Sequence, residues 1–370
     1  MNDSYNIKNL SKDNLKKLIN NQHIFLQHYK NRRGNFYRFF NKNLFSYNVN
    51  GFSIKDYEIN QKKIEKIQHL FFPNLLKKIK IEINLRKYNK KNRIKIVSND
   101  IRKHYYLSVA SIVKNEGKYL KEWIEFHILA GVEKFYIFDN ESDDDTKIIL
   151  KPYIEKGIVD YIFFPGKAVQ YKAYNYIIKK LRKKTFWLAL IDADEFLFPT
   201  EDISLPDFLK NYEKFPAIGV NWITFGHCNH EKQQDGLLVD NYQMTFADKD
   251  NPLNCRIKSI VRPKCVSYCN SPHFCHYKHG FAVDENMNTI CAPSFESVFS
   301  NSITLFNSTY KIRINHYWTK SKEELKEKIK RGYPDGASVD KYENIIKRLD
   351  FPLVNDKKII EFKNKRLKNI

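Results

Sequence analysis

The chain has 370 residues, 42% of them hydrophobic and 15% aromatic, enough to bury one large core or two smaller ones, so it is expected to fold. Lysine and arginine outnumber aspartate and glutamate by 64 to 42, a formal charge of +22, which turns attention to nucleic acid, an anionic membrane surface or phosphorylated ligands. Six cysteines are too few for a disulfide scaffold in so long a chain, and no apolar run reaches the ~18 residues that a membrane-spanning helix needs.

The N-terminal "MNDSYNIKNLSKDNLKK" lacks the apolar core of a secretory signal, so the sequence reads as cytoplasmic, at most peripheral at the inner face of the membrane. Residues 1–103 are Lys/Asn-rich, with helical spacing in "NLKKLINNQHIFLQHY", and read as a helical accessory region without chemistry of its own. Much of the positive excess lies in such stretches and in the tail. Compositional bias accounts for it as well as a ligand does.

From Tyr105 the texture changes to strand, helix, strand. "YLSVASIVKNE" reads as a buried strand, "GKYLKEWIEFHILAGV" as an amphipathic helix stopped near Gly131, and "KFYIFDNESDDDT" as a second strand ending in acids. "DDTKIILKPYIEKG", "IVDYIFFPG" and "AVQYKAYNYIIKKLRKK" continue the alternation as helix, strand and helix. Such alternation predicts an α/β fold around a mostly parallel sheet, with ligands at the carboxyl ends of the strands.

The next strand, in "FWLALIDADEFLFPT", runs into Asp192, Ala193, Asp194 and Glu195. If strand periodicity continues, Asp192 and Asp194 point to the same side, where their carboxylates can share one cation or straddle one ligand. The bland alternative is a strand end capped by solvated acids, but the apolar flanks argue against solvation, and unpaired buried carboxylates are costly. Farther on, "CVSYCNSPHFCHYKH" gathers Cys265, Cys269, Cys275, His273, His276 and His279, a set that permits zinc but has no CxxC pair and reads better as a loop holding one or two functional histidines. A cytoplasmic location argues against structural disulfides there. In "TKSKEELKEKIKRG", Ser321 and Glu324 have the spacing of a helix capping box.

"SIVKNEGKYLKEWIEFHILAGVEKFYIFDNESDDD", "WLALIDADEFLFP", "WITFGH" and "INHYWTKSKEELKEKIKRG" together resemble glycosyltransferase family 92 and its family 2 relatives. The resemblance implies a GT-A fold, Rossmann-like, over residues 104–332; it does not extend to residues 333–370, which read as a C-terminal helical tail. It implies a nucleotide-sugar donor, UDP-linked, and a cell-surface glycan or lipid-linked acceptor. It places Lys114, Asn115, Glu116, Asp139 and Asp192 around the nucleotide, with Lys320 and Arg331 facing the diphosphate. Asp192, Asp194 and His316 become ligands of Mn²⁺ or Mg²⁺. Trp222, Phe225 and His227 become acceptor contacts, and Glu195, Glu231 and Asp235 the candidate general bases.

Two other classes compete. "LALIDADEFL" partly matches a phosphohydrolase motif with Asp192 as nucleophile, though Phe196 stands where that motif wants Thr or Val. A basic nucleic-acid binder would explain the charge but leaves the ordered acids unexplained, so no nucleic acid is expected.

Overall fold

A computed structural model describes residues 75–96, 104–248, 251, 253–269, 271–288, 290, 302–304, 307–332 and 353–368. The helical spacing read at residues 14–29 lies outside these. In chain order the elements that build the molecule begin with helix α1 (Leu75–Asn92), β1 (Tyr105–Val113), α2 (Gly117–Leu129), β2 (Lys134–Asp139), α3 (Thr146–Glu155), β3 (Val159–Phe163), α4 (Gln170–Leu181) and β4 (Thr185–Leu190). There follow β5 (Glu195–Pro199), α5 (Leu205–Lys210), β6 (Ala217–Thr224), α6 (Leu238–Asn241), β7 (Met244–Phe246), β8 (Ile257–Val261), β9 (Val266–Cys269), β10 (Cys275–Tyr277), β11 (Ala282–Val283), β12 (Ile312–His316), α7 (Lys322–Arg331), β13 (Leu353–Asn355) and α8 (Lys358–Lys368).

The main sheet runs β3-β2-β1-β4-β8-β6-β12-β5, with β11 beside β6. β1 to β4 pair in parallel, as expected, and their near-continuous apolar runs follow from burial on both faces. Period-two alternation divides the core. Leu107, Val109, Trp187 and Ala189 face one cluster with α2 and α3, whereas Ala110, Ile112, Leu188 and Leu190 face the other with α1 and α4.

Beyond β4 the sheet is mixed rather than parallel. β8 is antiparallel to β4 and β6, and β5 is antiparallel to β12. Only residues 191–194 separate β4 from β5, too short a link for a parallel crossover, so β5 takes a place at the far edge beside a strand from much later in the chain.

Two parts set apart in the sequence reading pack onto this domain. Tyr88 of α1 packs at a tilt against Phe164, and Phe362 of α8 packs on Phe126 and Phe198. Arg313 of β12 holds Asp356 through two bonds, 2.6 and 2.9 Å, so residues 353–368 are tied to the sheet, with Ile359 and Phe362 in its core. Among the described residues no helix is long and apolar enough to cross a membrane.

One buried contact fixes the strand that follows the acids. Trp123 of α2 donates its indole N–H to the Glu195 carbonyl at 2.7 Å, and His127 Nε2 accepts the Leu197 N–H at 3.1 Å while Nδ1 donates to the Trp123 carbonyl. His127 is therefore needed neutral, and burial pushes its pKa down to about 4.

The unfolded chain takes up this proton near pH 6.5 and the folded chain near 4, so the contribution is intact above 6.5 and is lost as pH falls between the two values. By pH 5 the loss is about 2 kcal/mol. Denaturant unfolding of the wild type and His127→Gln at pH 7 and pH 5 checks this: the variant is less stable at pH 7 and loses correspondingly less on acidification.

Candidate functional site

A cleft of about 720 Å³ opens at the carboxyl ends of β1, β2, β4 and β6. The strand order reverses direction between β1 and β4, the topological switch point at which open α/β sheets bind ligands. The register places Val113 beside Asp139 and Ala110 beside Leu190, so three strand exits lie together. Lysines 114, 167, 258 and 328 and arginines 256 and 331 line the cleft, six cations against the carboxylates of Glu116, Glu141, Asp192 and Asp194.

Asp192 and Asp194 do not continue the β4 strand. They occupy the tight turn into β5, closed by the Glu195 N–H donating to the Asp192 carbonyl at 3.1 Å. Strand periodicity therefore does not govern them: both line the one cleft, as expected, but the two carboxylates find different partners within it. Asp192 accepts from Lys258 Nζ at 2.6 Å, from Gln170 at 3.1 Å and from Tyr174 at 3.5 Å. Asp194 accepts from Lys328 Nζ at 2.6 Å, and its other oxygen lies 3.7 Å from His316 Nε2.

Lys258 is 1% exposed and sits between Asp192 and Glu195, the latter 3.7 Å away. Burial works against its charge, yet the Asp192 and Glu195 carboxylates carry its pKa above the usual lysine value. Glu195 is fully enclosed, its Oε2 accepting the Asp192 N–H at 3.0 Å, and burial drives its pKa up. It shapes the turn from beneath and does not line the cleft. Against burial, which acts to raise it, the Lys328 ammonium holds the Asp194 carboxyl well below the usual carboxylate range.

Antiparallel pairing of β12 with β5 puts His316 opposite Glu195, and that is how a histidine from far downstream arrives beside Asp194. Burial lowers its pKa to about 3, leaving the neutral imidazole that binds metals. Its Nδ1 is buried without a hydrogen-bond partner, and its ring packs 4.2 Å from that of Trp222. Asp194 and His316 together fit a divalent cation, whereas Asp192 is drawn away to Lys258. Among the described residues no group of three or more such side chains gathers as a ready-made metal cage.

The other expected residues divide plainly. Lys114, Glu116, Trp222 and Arg331 line the cleft with Asp192, Asp194 and His316. Glu116 is clasped by Lys320 at 2.7 Å and Arg331 at 3.1 Å, so Lys320 acts through Glu116 from outside the lining. Asn115 ties two loops, donating its N–H to Ser142 and accepting that of Asp143. Asp139 is buried, bound by Tyr161 at 2.6 Å and by the Ser142 N–H at 2.9 Å; its neighbours Asn140 and Glu141 reach the cleft instead. Phe225 is a core residue stacked on Tyr317. His227, Glu231 and Asp235 lie outside the lining, Glu231 exposed and paired with Lys322.

The capping box forms as read, with Ser321 and Glu324 starting α7. The cysteine reading is corrected: Cys269 and Cys275 form a disulfide across the β9–β10 hairpin, closing the loop that carries Pro272 and His273 into the cleft. The close pairing of the hairpin brings the two sulfurs together, and no zinc cluster forms among the described residues. Lys258 and Lys328 were missed. A lone lysine inside the apolar "IKSIV" was the available signal for the first; the second is indistinguishable by sequence from the solvated lysines of its helix.

The profile of glycosyltransferase family 92 matches residues 103–332. A glycosyltransferase family 92 protein of Oryza sativa subsp. japonica is 30% identical over 186 residues, 48% of this chain and 31% of its own length. One from Ricinus communis is 26% identical over 188 residues, 48% of this chain and 33% of its own, so the chain spans about a third of the length of these relatives. Among solved structures, residues 1–349 of S. aureus TarS give a TM-score of 0.28 at 13% identity, over 43% of this chain and 47% of that one.

Removing the ammonium from the buried pair leaves Asp192 and Glu195 facing each other without a cation. Lys258→Met is expected to lower unfolding free energy by about 3–5 kcal/mol. Adding Glu195→Gln restores part of it, because a neutral amide needs no counter-charge; chemical denaturation of both variants reads the difference.

Proposed function

Because the chain belongs to glycosyltransferase family 92, we propose that it transfers a sugar from a UDP-linked donor to a hydroxyl of a cell-surface glycan or lipid-linked acceptor. The observation that carries this reading is the cleft at the switch point, where cations outnumber carboxylates and an acid–imidazole pair stands beside them. A nucleoside diphosphate has the complementary charge, and Lys114 at the end of β1 offers a donor to its polar groups.

Asp194 and His316 would hold a divalent ion, Mn²⁺ or Mg²⁺, whose positive charge stabilises the departing diphosphate. The chain's own part is to fix these two ligands through the β5–β12 pairing and to orient Asp192 through Lys258, Gln170 and Tyr174. Held in this way, Asp192 presents acceptor oxygens to ribose hydroxyls at the cleft wall. Trp222, packed between His273 and His316, forms an apolar floor suited to a sugar face.

Asp194→Asn keeps the side-chain shape but removes the charge that would hold a cation. It is expected to lower metal-stimulated UDP release from a UDP-sugar panel by at least about a hundredfold, with melting temperature changed by only a few degrees. Full activity of this variant, or unchanged wild-type activity in EDTA, contradicts the metal assignment. A chain working on lipid-linked acceptors should also float with anionic liposomes and much less with neutral ones, since each surface Lys or Arg contributes about 1 kcal/mol.

A further inference from the structure

Lys328 sits on the inner face of α7, in the cleft lining, with its side chain 19% exposed. Its ammonium donates to Asp194 at 2.6 Å and to the Trp318 carbonyl at 3.1 Å. One turn on, Arg331 reaches the Lys114 carbonyl and Glu116. The acid best placed to take a divalent ion is thus already neutralised by a lysine of the cleft wall.

These two cations cannot share Asp194 at close range. Like charges around one carboxylate that is 8% exposed repel strongly, because little solvent screens them. Lys258 is 1% exposed and held between two carboxylates, Asp192 and Glu195. Lys328 differs: it borders open space, and its flexible four-carbon stem on a fixed helix allows the ammonium to swing.

We infer that Lys328 is a tethered counter-ion that Asp194 exchanges for the divalent cation, and that the displaced ammonium then pairs with the diphosphate of the donor. This rests on the reading of the cleft as a nucleotide-sugar site. It makes Lys328 a binding residue with two opposite effects: it competes with the metal when the cleft is empty and holds the nucleotide when the metal is in. Metal and nucleotide binding are then coupled through one side chain, each favouring the arrangement the other needs.

Calorimetric titration with Mn²⁺ alone, and with UDP at saturating Mn²⁺, tests this on the full chain. Lys328→Met is expected to bind Mn²⁺ alone about tenfold more tightly and UDP about tenfold more weakly, because it loses a competitor and a partner together. A change of both affinities in the same direction, or of neither, overturns the exchange. Should Lys328→Met fail to fold, Lys328→Gln keeps an N–H donor for Asp194 without the charge and carries the same pair of expectations. If the wild type binds neither Mn²⁺ nor UDP, the nucleotide-sugar reading falls and the exchange with it; if it binds both, the variant decides the exchange alone.

Discussion

Three acids in the four-residue stretch 192–195 have to be kept in a largely buried turn, and the rest of the site follows from how their charge is compensated. Lys258 answers Asp192 and Glu195 from a neighbouring strand, and Lys328 answers Asp194 from a helix much later in the chain. Removing the buried Lys258 would expose a cost of several kcal/mol, so the turn depends on a chain that brings β8 to it, with α7 supplying the second cation. The site and the fold are therefore one problem.

The mixed half of the sheet meets that requirement. β8 inserts antiparallel beside β4, which sets Lys258 against the turn, and β12 pairs with both β6 and β5, which brings His316 next to Asp194 and Trp222. The chain then turns directly into α7, so Lys328 and Arg331 close the same cleft. A buried clamp supports the entry to β12: the Glu285 carboxylate accepts the N–H groups of Tyr310, Lys311 and Ile312, each at 2.9 Å. The end of β12 that matters chemically is anchored from its beginning.

What was legible in the sequence was local. Apolar runs and helical periods located β1 to β4 and their helices, because a buried parallel sheet writes itself as continuous hydrophobic segments, and the Ser321–Glu324 cap was readable from spacing alone. The acids at strand ends were also readable, yet their orientation was not. Period-two reasoning does not hold in a turn: Asp192 and Asp194 do line one cleft, but each is drawn to a different lysine. Asp139 looked like a ligand because nothing in sequence reveals Tyr161 bonding to it from the adjacent strand. The Cys269–Cys275 bond is not legible from composition or expected compartment, because it follows from the β9–β10 pairing that sets Cys269 opposite Cys275.

The central claim is that Asp194 and His316, rather than the two aspartates together, receive the cation in a cleft built for a nucleoside diphosphate. The most direct measurement is a crystal structure with Mn²⁺ and UDP, the metal located by its anomalous scattering. The expected result is one peak bonded to Asp194 and His316, with diphosphate oxygens completing the shell and Asp192 still held by Lys258. A peak bonded to Asp192 with Lys258 displaced, or UDP bound away from this cleft, would contradict the account.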